Sequence, residues 1–374
     1  MAAAGQDLSV RVVDKSEGFR NLRDAWNDLL MRSHSANPFQ TWEWLWSWYT
    51  QIAPKRRLLI LMVYHGETLI GIAPFERVGF HGLPVRRLRF MGGGPSDYLD
   101  GIYESGREED VLSAVFGWVK ENRSQWDILD LQHVRQDSPT LRHLELLGAE
   151  SDWRITTRPQ DVCPCALLGS DWQTTAARFG KKTRSNLAYY ERLASREFNV
   201  EMREVRTEEL ESALGRLFEL HAARWRKRLL PGVLGAGRTQ RFHRTAAPLL
   251  AESGRLKFLG IRLNGEWQSL LYCLALGERT MYYIGGWNPE FRKYSLGTLL
   301  IGKAMKDAVD GGCVEFDFLR GDERYKERWT TEKRVSRRII AHLGTPGGLL
   351  GSRAALTGNR AGYAAHGVWE KVQG

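Results

Sequence analysis

Arg292, Ser295 and Gly297 stand at the spacing Arg-x-x-Ser-x-Gly. They lie between a β-type run (Met281 to Ile284) and a segment whose apolar residues recur at helical spacing: Leu300, Ile301, Ala304, Met305 and Ala308. Small residues at a strand-to-helix junction let backbone N–H groups come close to a phosphate, and the positive end of the helix dipole favours its charge. Arg292, Lys293, Ser295, Leu296, Gly297 and Thr298 therefore read as a diphosphate cradle. Gly and Ser also fill such turns for steric reasons alone, so the neighbouring elements have to decide. Downstream, Asp317 sits in the run Val314 to Leu319, followed by Arg320, Asp322, Tyr325, Lys326 and Trp329. A carboxylate in a partly dry cleft is pushed up toward useful base strength, a phenol can return a proton, and cations can neutralise an oxyanion. The competing reading has Asp317 paired with Arg320 or Lys326 to hold a loop, and Tyr325 in a packing role.

The elements that must position these groups come in a recognisable order. Leu256 to Leu263, Trp267 to Leu276 and Thr280 to Ile284, joined by the turns at Asn264-Gly-Glu266 and Gly277-Glu-Arg279, read as a three-strand meander. Meander, phosphate loop, helix, strand and short helix together resemble the GNAT acyltransferase fold. The segment Phe316 to Trp329 is similar, at Asp317, Arg320, Gly321, Asp322, Tyr325, Lys326 and Trp329, to the signature of CelD/BcsL-type acetyltransferases. Those enzymes are linked to cellulose and exopolysaccharide formation and are relatives of the FemAB peptidyltransferases. The resemblance implies acetyl-CoA as donor and an amine or amino sugar as acceptor. It makes Asp317 the base, with Glu290 a second candidate through water, and Tyr325 the acid beside the sulfur. Tyr283, Arg320, Asp322, Lys326 and Trp329 would face the acceptor. Tyr282 and Tyr283 point opposite ways on their strand, so only one sees the cleft. The chain departs from the family at Ser295, where the loop usually has Gly.

At 374 residues the chain suits two domains. The hairpin around His65-Gly-Glu67 parallels the one around Asn264-Gly-Glu266, and Trp126 to Gln132 parallels Val314 to Leu319, so the same α/β fold is expected twice. Each copy would be a mixed, mostly antiparallel sheet flanked by helices. The expected divisions are a degenerate GNAT-like domain at 1–155, the acyltransferase domain at 156–345 and a tail at 346–374, with a linker near 150–170. In the first copy Met91-Gly-Gly-Gly-Pro-Ser-Asp-Tyr-Leu-Asp100 replaces the phosphate loop. Its acids make it a poor anion site; Asp97 or Tyr98 would face the acceptor side, with a plain turn as the competing reading. The aromatic helix around Trp42 to Tyr49 is core or a wall for a sugar. Trp172 to Arg196 reads as one long basic helix, and Pro231 to Gly237 as a loop that could serve as a lid.

A net charge of +10 means the surface attracts anions, without choosing among coenzyme A, a sugar nucleotide, an acidic membrane face and nucleic acid. The four cysteines lack metal-site spacing. No apolar run approaches the ~20 residues needed to span a bilayer, and the N-terminus has no signal-peptide pattern. A cytoplasmic, at most membrane-peripheral, protein is expected. No Gly-x-Ser-x-Gly elbow or His-Glu-x-x-His pair occurs, which argues against serine hydrolases and zinc proteases. An acyl-CoA-dependent N-acyltransferase is the leading expectation. The alternatives are a FemAB-like transferase using aminoacyl-tRNA, and a non-catalytic scaffold of a polysaccharide synthase.

Overall fold

The computed structural model describes residues 8–80, 82–226 and 237–357. In chain order, the first half holds β1 (Leu8–Val13), α1 (Ser16–Arg20), α2 (Arg23–Met31), α3 (Trp42–Gln51), β2 (Arg57–His65), β3 (Thr68–Phe80), β4 (Leu83–Phe90) and β5 (Ile102–Tyr103). Then come α4 (Glu108–Glu121), β6 (Ile128–Arg135), α5 (Pro139–Glu150) and β7 (Arg154–Leu167). The second half continues with α6 (Trp172–Ala177), α7 (Lys181–Glu197), β8 (Val200–Glu204), α8 (Leu210–Arg226), α9 (Gly237–Glu252), β9 (Leu256–Leu263) and β10 (Glu266–Leu276). It ends with β11 (Arg279–Trp287), α10 (Leu296–Asp310), β12 (Glu315–Asp317), α11 (Arg324–Glu327) and β13 (Glu332–His342).

Two compact units emerge, one from residues 8–49, 53–161 and 334–357, the other from 50–52 and 162–333. In the first, the sheet runs β1-β2-β3-β4-β6-β13, with β5 on β3; in the second, β12-β11-β10-β9-β8. Each contains a meander, a junction, a helix and then a strand parallel to the meander's last: β4 with β6, and β11 with β12. β1/β2, β2/β3, β3/β4, β3/β5, β6/β13, β7/β12, β8/β9, β9/β10 and β10/β11 pair antiparallel. The fold is thus the expected mixed α/β architecture, present twice.

The unit borders differ from the sequence expectation. The stretch near 150–170 is no linker but largely β7, and the division falls after Asp161. Residues 334–357, expected with the second domain and the tail, belong to the first unit because β13 hydrogen-bonds antiparallel to β6. Correspondingly, the strand beside β12 is the end of β7, through Cys165–Leu167. The long basic helix is two helices: Asp171 caps α6 through the Thr174 N–H at 2.7 Å, and α7 starts after Gly180. Lys181, Lys182, Arg184 and Arg192 are exposed on α7. The loop from Pro231 to Ala236, and the tail beyond Thr357, lie outside the described residues.

Each unit has its own core. Leu59, Leu61, Val63, Phe75, Leu88, Phe90 and the inner face of α4 fill the first. Leu259, Ile261, Leu271, Leu299, Leu300, Met305 and Phe316 fill the second, each such side chain contributing about 1.5–3 kcal/mol. The aromatic helix α3 is core: Trp42, Trp44 and Trp48 are buried, and their indole N–H groups donate to Phe19 O, Ser96 Oγ and Gly93 O at 2.9, 2.7 and 2.9 Å. A buried indole needs such a partner, and here each has one.

Candidate active site

β11 and β12 run side by side only from Arg279/Glu315 to Met281/Asp317. β12 stops there because Leu319 takes a left-handed conformation (φ 57°), and its N–H donates to Asp317 Oδ1 at 2.6 Å. β11 continues to Trp287 with its far edge on β10. The two strands therefore part.

The stretch of β11 beyond its last β12 partner carries a bulge. Cys273 opposes Tyr282 and Tyr272 opposes Ile284, which leaves Tyr283 as the extra residue. An inserted residue resets the alternation of side chains. Tyr282, Gly285 and Trp287 consequently line one cleft, while Tyr283 packs against Tyr272 and His243, with ring centres 5.8 and 5.4 Å away. Burial lowers the pKa of His243 to about 3. A Cβ on Gly285 would lie 2.7 Å from Tyr282 Oη, so only glycine leaves the cleft floor open. A Cβ on Gly286 would instead meet Leu220 and His221 of α8.

The cleft encloses about 400 Å³. Tyr190 of α7, Ser269 of β10, the first turns of α10, and Tyr325, Arg328 and Trp329 complete its walls. At one end, a 3-10 turn (Pro289–Tyr294) leads into Ser295, which is left-handed at φ 50°, ψ 42°. That conformation is why glycine is favoured at this position. The turn is anchored by Tyr294, which is buried, packs on Phe198 and donates to Glu197 Oε2 at 2.5 Å. Tyr294 and Lys293 together hold the Glu197 carboxyl below its usual range. Ser295 O accepts from Thr298 and Leu299 N–H at 2.8 and 3.2 Å, so α10 begins at Leu296. The first-turn N–H groups of Leu296 and Gly297 have no acceptor within the helix. No acid stands in that turn. Arg292 is exposed and makes no ion pair among the described residues. These groups suit a diphosphate.

Arg292, Ser295, Leu296, Gly297, Thr298, Tyr325 and Trp329 thus come together around one cleft. The remaining candidates sit elsewhere. Lys293 turns outward to Glu197 at 3.0 Å. Glu290 is exposed, and its backbone N–H donates to Asn288 Oδ1 at 3.1 Å. Asp317 is fully buried and closes the turn at Leu319. Lys326 is buried, with Nζ bonded to the carbonyls of Arg320 and Gly321 at 2.9 and 3.0 Å, so it staples the loop that Arg320 begins. Asp322 pairs with Lys333 at 2.8 Å. Asp97 is a buried residue of the first unit. Of the tyrosine pair, Tyr282 rather than Tyr283 reaches the cleft. Trp287, Ser269, Tyr190 and Arg328 were not singled out in the sequence. The Gly285-Gly286 pair inside a strand was the one local sign of a close approach.

Residues 181–327 match the family model described as the acetyltransferase (GNAT) domain. The chain is similar in fold to a structure described as FemX, at 12% identity and a TM-score of 0.62, covering 88% of this chain and 96% of that one. A conserved protein of unknown function from Bacteroides thetaiotaomicron VPI-5482 aligns at 10% identity and TM-score 0.60, over 89% and 100%. The C-terminal domain of a lysylphosphatidylglycerol synthetase from Agrobacterium fabrum aligns at 12% and 0.57, over 91% and 95%. No curated protein matches the sequence significantly.

Proposed function

We propose that this chain transfers an acyl group, acetyl in the simplest case, from coenzyme A to an amine. The observation that carries this reading is the meeting of two features in one cleft: a helix N-terminus without acids, flanked by Arg292, and the divergence of β11 from β12 beyond Met281/Asp317. Leu296 and Gly297 N–H groups with the Arg292 guanidinium would hold the donor's diphosphate. From Ile284 to Trp287, beyond the last β12 partner, the edge of β11 would offer backbone N–H and C=O groups to an extended, amide-containing chain, as an edge strand does to a peptide. The donor supplies a thioester, whose acyl carbon is open to a nitrogen nucleophile. Tyr325, whose ring centre lies 6.2 Å from that of Tyr282 in the cleft lining, would give a proton to the departing sulfur. No carboxylate or imidazole lies among the described residues lining the cleft. The acceptor amine therefore has to arrive uncharged, and its own pKa should set the alkaline rise of the rate.

The acceptor class, an amine or amino sugar of envelope or exopolysaccharide metabolism, rests on the likeness of Phe316 to Trp329 to the CelD/BcsL signature. A second reading, an aminoacyl-tRNA donor, draws on the FemX-like fold and the +10 charge. Calorimetry with acetyl-CoA, followed by thiol release against a panel of amines, tests the first. Heat of binding and acceptor-dependent thiol release are expected. Absence of both from the unaltered protein, with transfer from aminoacyl-tRNA, would replace it by the second.

A further inference from the structure

The first unit holds a separate hollow of about 560 Å³, at the opposite end of β4 from the Met91–Asp100 loop. Five cations border it: Lys55, Arg56 and Arg57 where β2 begins, Arg77 late in β3 and Arg86 early in β4. Two are already paired with carboxylates. Arg56 Nη1 reaches both Glu76 oxygens at 2.7 and 3.0 Å. Arg86 grips Asp127 through two bonds of 3.0 Å, which holds that carboxyl below its ordinary range.

The other three are not. Lys55, Arg57 and Arg77 make no ion pair among the described residues. Arg77 donates from Nη1 to the Gln125 amide oxygen at 2.9 Å, while its buried Nε has no hydrogen-bond partner. Arg57 and Arg77 are moreover directly opposite each other in the β2/β3 register. Like charges in that position repel and destabilise the pair unless an anion lies between or over them. Among the described residues of the lining, Val78 is the one with an apolar side chain, and none carries an aromatic ring to stack on a nucleobase. The volume falls within the usual range for small-ligand sites.

We propose that this hollow binds a phosphate-bearing anion of about diphosphate size, with Arg57 and Arg77 straddling it and Lys55 at the rim. Recognition runs through phosphate oxygens rather than a base. The phosphate can come from a soluble diphosphate ester or from an anionic lipid headgroup. The site is independent of the α10 cradle, since every lining residue belongs to the first unit.

The test uses the full chain carrying Gly297→Leu, so that the α10 cradle is blocked. Inorganic pyrophosphate is titrated by calorimetry, and co-sedimentation is measured with phosphatidylcholine vesicles with and without phosphatidylglycerol. Binding of pyrophosphate, of the phosphatidylglycerol vesicles, or of both is expected. It should weaken at least about tenfold in R57Q/R77Q and persist in the charge-matched K15Q/K306Q. Pyrophosphate binding without vesicle binding assigns a soluble ligand; displacement of vesicles by pyrophosphate assigns a lipid. In anion-free, low-salt buffer R57Q/R77Q should melt above its parent, because the repulsion is gone. Pyrophosphate should raise the parent's melting temperature and not the variant's. If R57Q/R77Q does not fold, Lys55→Gln is expected to show the weaker binding in its place. Unchanged binding in both variants overturns the proposal. So does failure of both pyrophosphate and phosphatidylglycerol vesicles, including the case in which the protein binds RNA alone.

Discussion

The strand-to-helix junctions of the two units start from one topology and end in opposite chemistry. In the second unit the first turn of α10 carries no acid and is preceded by the left-handed Ser295. In the first unit the first turn of α4 holds Glu108, Glu109 and Asp110, which neutralise their own helix dipole. The loop before it is also filled. Trp44 and Trp48 donate into it at Ser96 and Gly93, and Asp100 is buried, accepting from Ser138, Thr140, Tyr103 and the Gly101 N–H. Burial raises the pKa of Asp100 against the pull of those bonds. A repeated fold thus preserves its strands while one junction is packed shut and the other stays open to an anion.

The contrast breaks most sharply at Gly297. A Cβ there already lies 3.4 Å from Trp287 Cδ1, so Gly297→Leu should fill the mouth of the cleft and abolish measurable coenzyme A binding by calorimetry. Gly93→Ala in the other junction meets nothing within 4 Å and should leave binding unchanged. Next in size, Tyr325→Phe should lower kcat by roughly 100-fold with KM nearly constant, as read by thiol release, because only the proton donor is lost. Thr298→Asp makes α10 resemble α4. It should weaken coenzyme A binding about tenfold without lowering the melting temperature, since an acid in the first turn favours the helix while repelling the ligand.

The smallest effect contrasts the buried titrating groups. His243 in the second unit has its pKa depressed from 6.5 to about 3 by desolvation. The unfolded chain therefore takes up its proton first, and the stability due to the neutral ring is present above pH 6.5 and lost as pH falls. From this group alone, unfolding free energy should drop by about 1 kcal/mol between pH 6.5 and 5.5. His243→Phe should flatten that part of the denaturation profile. Asp100, raised rather than lowered, gives the opposite slope: its contribution is held at low pH and lost as pH rises through its folded value.

Much of this was legible along the chain because the signals are local. Apolar runs marked the second unit's meander and one hairpin of the first, turn residues marked the connections, and the Arg292 to Thr298 spacing marked the cradle, of which Arg292, Ser295, Leu296, Gly297 and Thr298 line the cleft. The echo of one half in the other already implied a repeated fold. Three matters were decided only in three dimensions. β7 lies beside β12 and β13 beside β6, pairings between residues so far apart in sequence that no window contains both partners. The bulge at Tyr283 swaps which tyrosine enters the cleft, and a bulge depends on the register of the neighbouring strand. Asp317 and Lys326 carry charges that suggest catalysis, yet each is buried and bonded to the loop that follows β12. A side chain's type states what chemistry it can do; its burial and its partners, which come from packing of distant segments, decide whether a substrate can reach it.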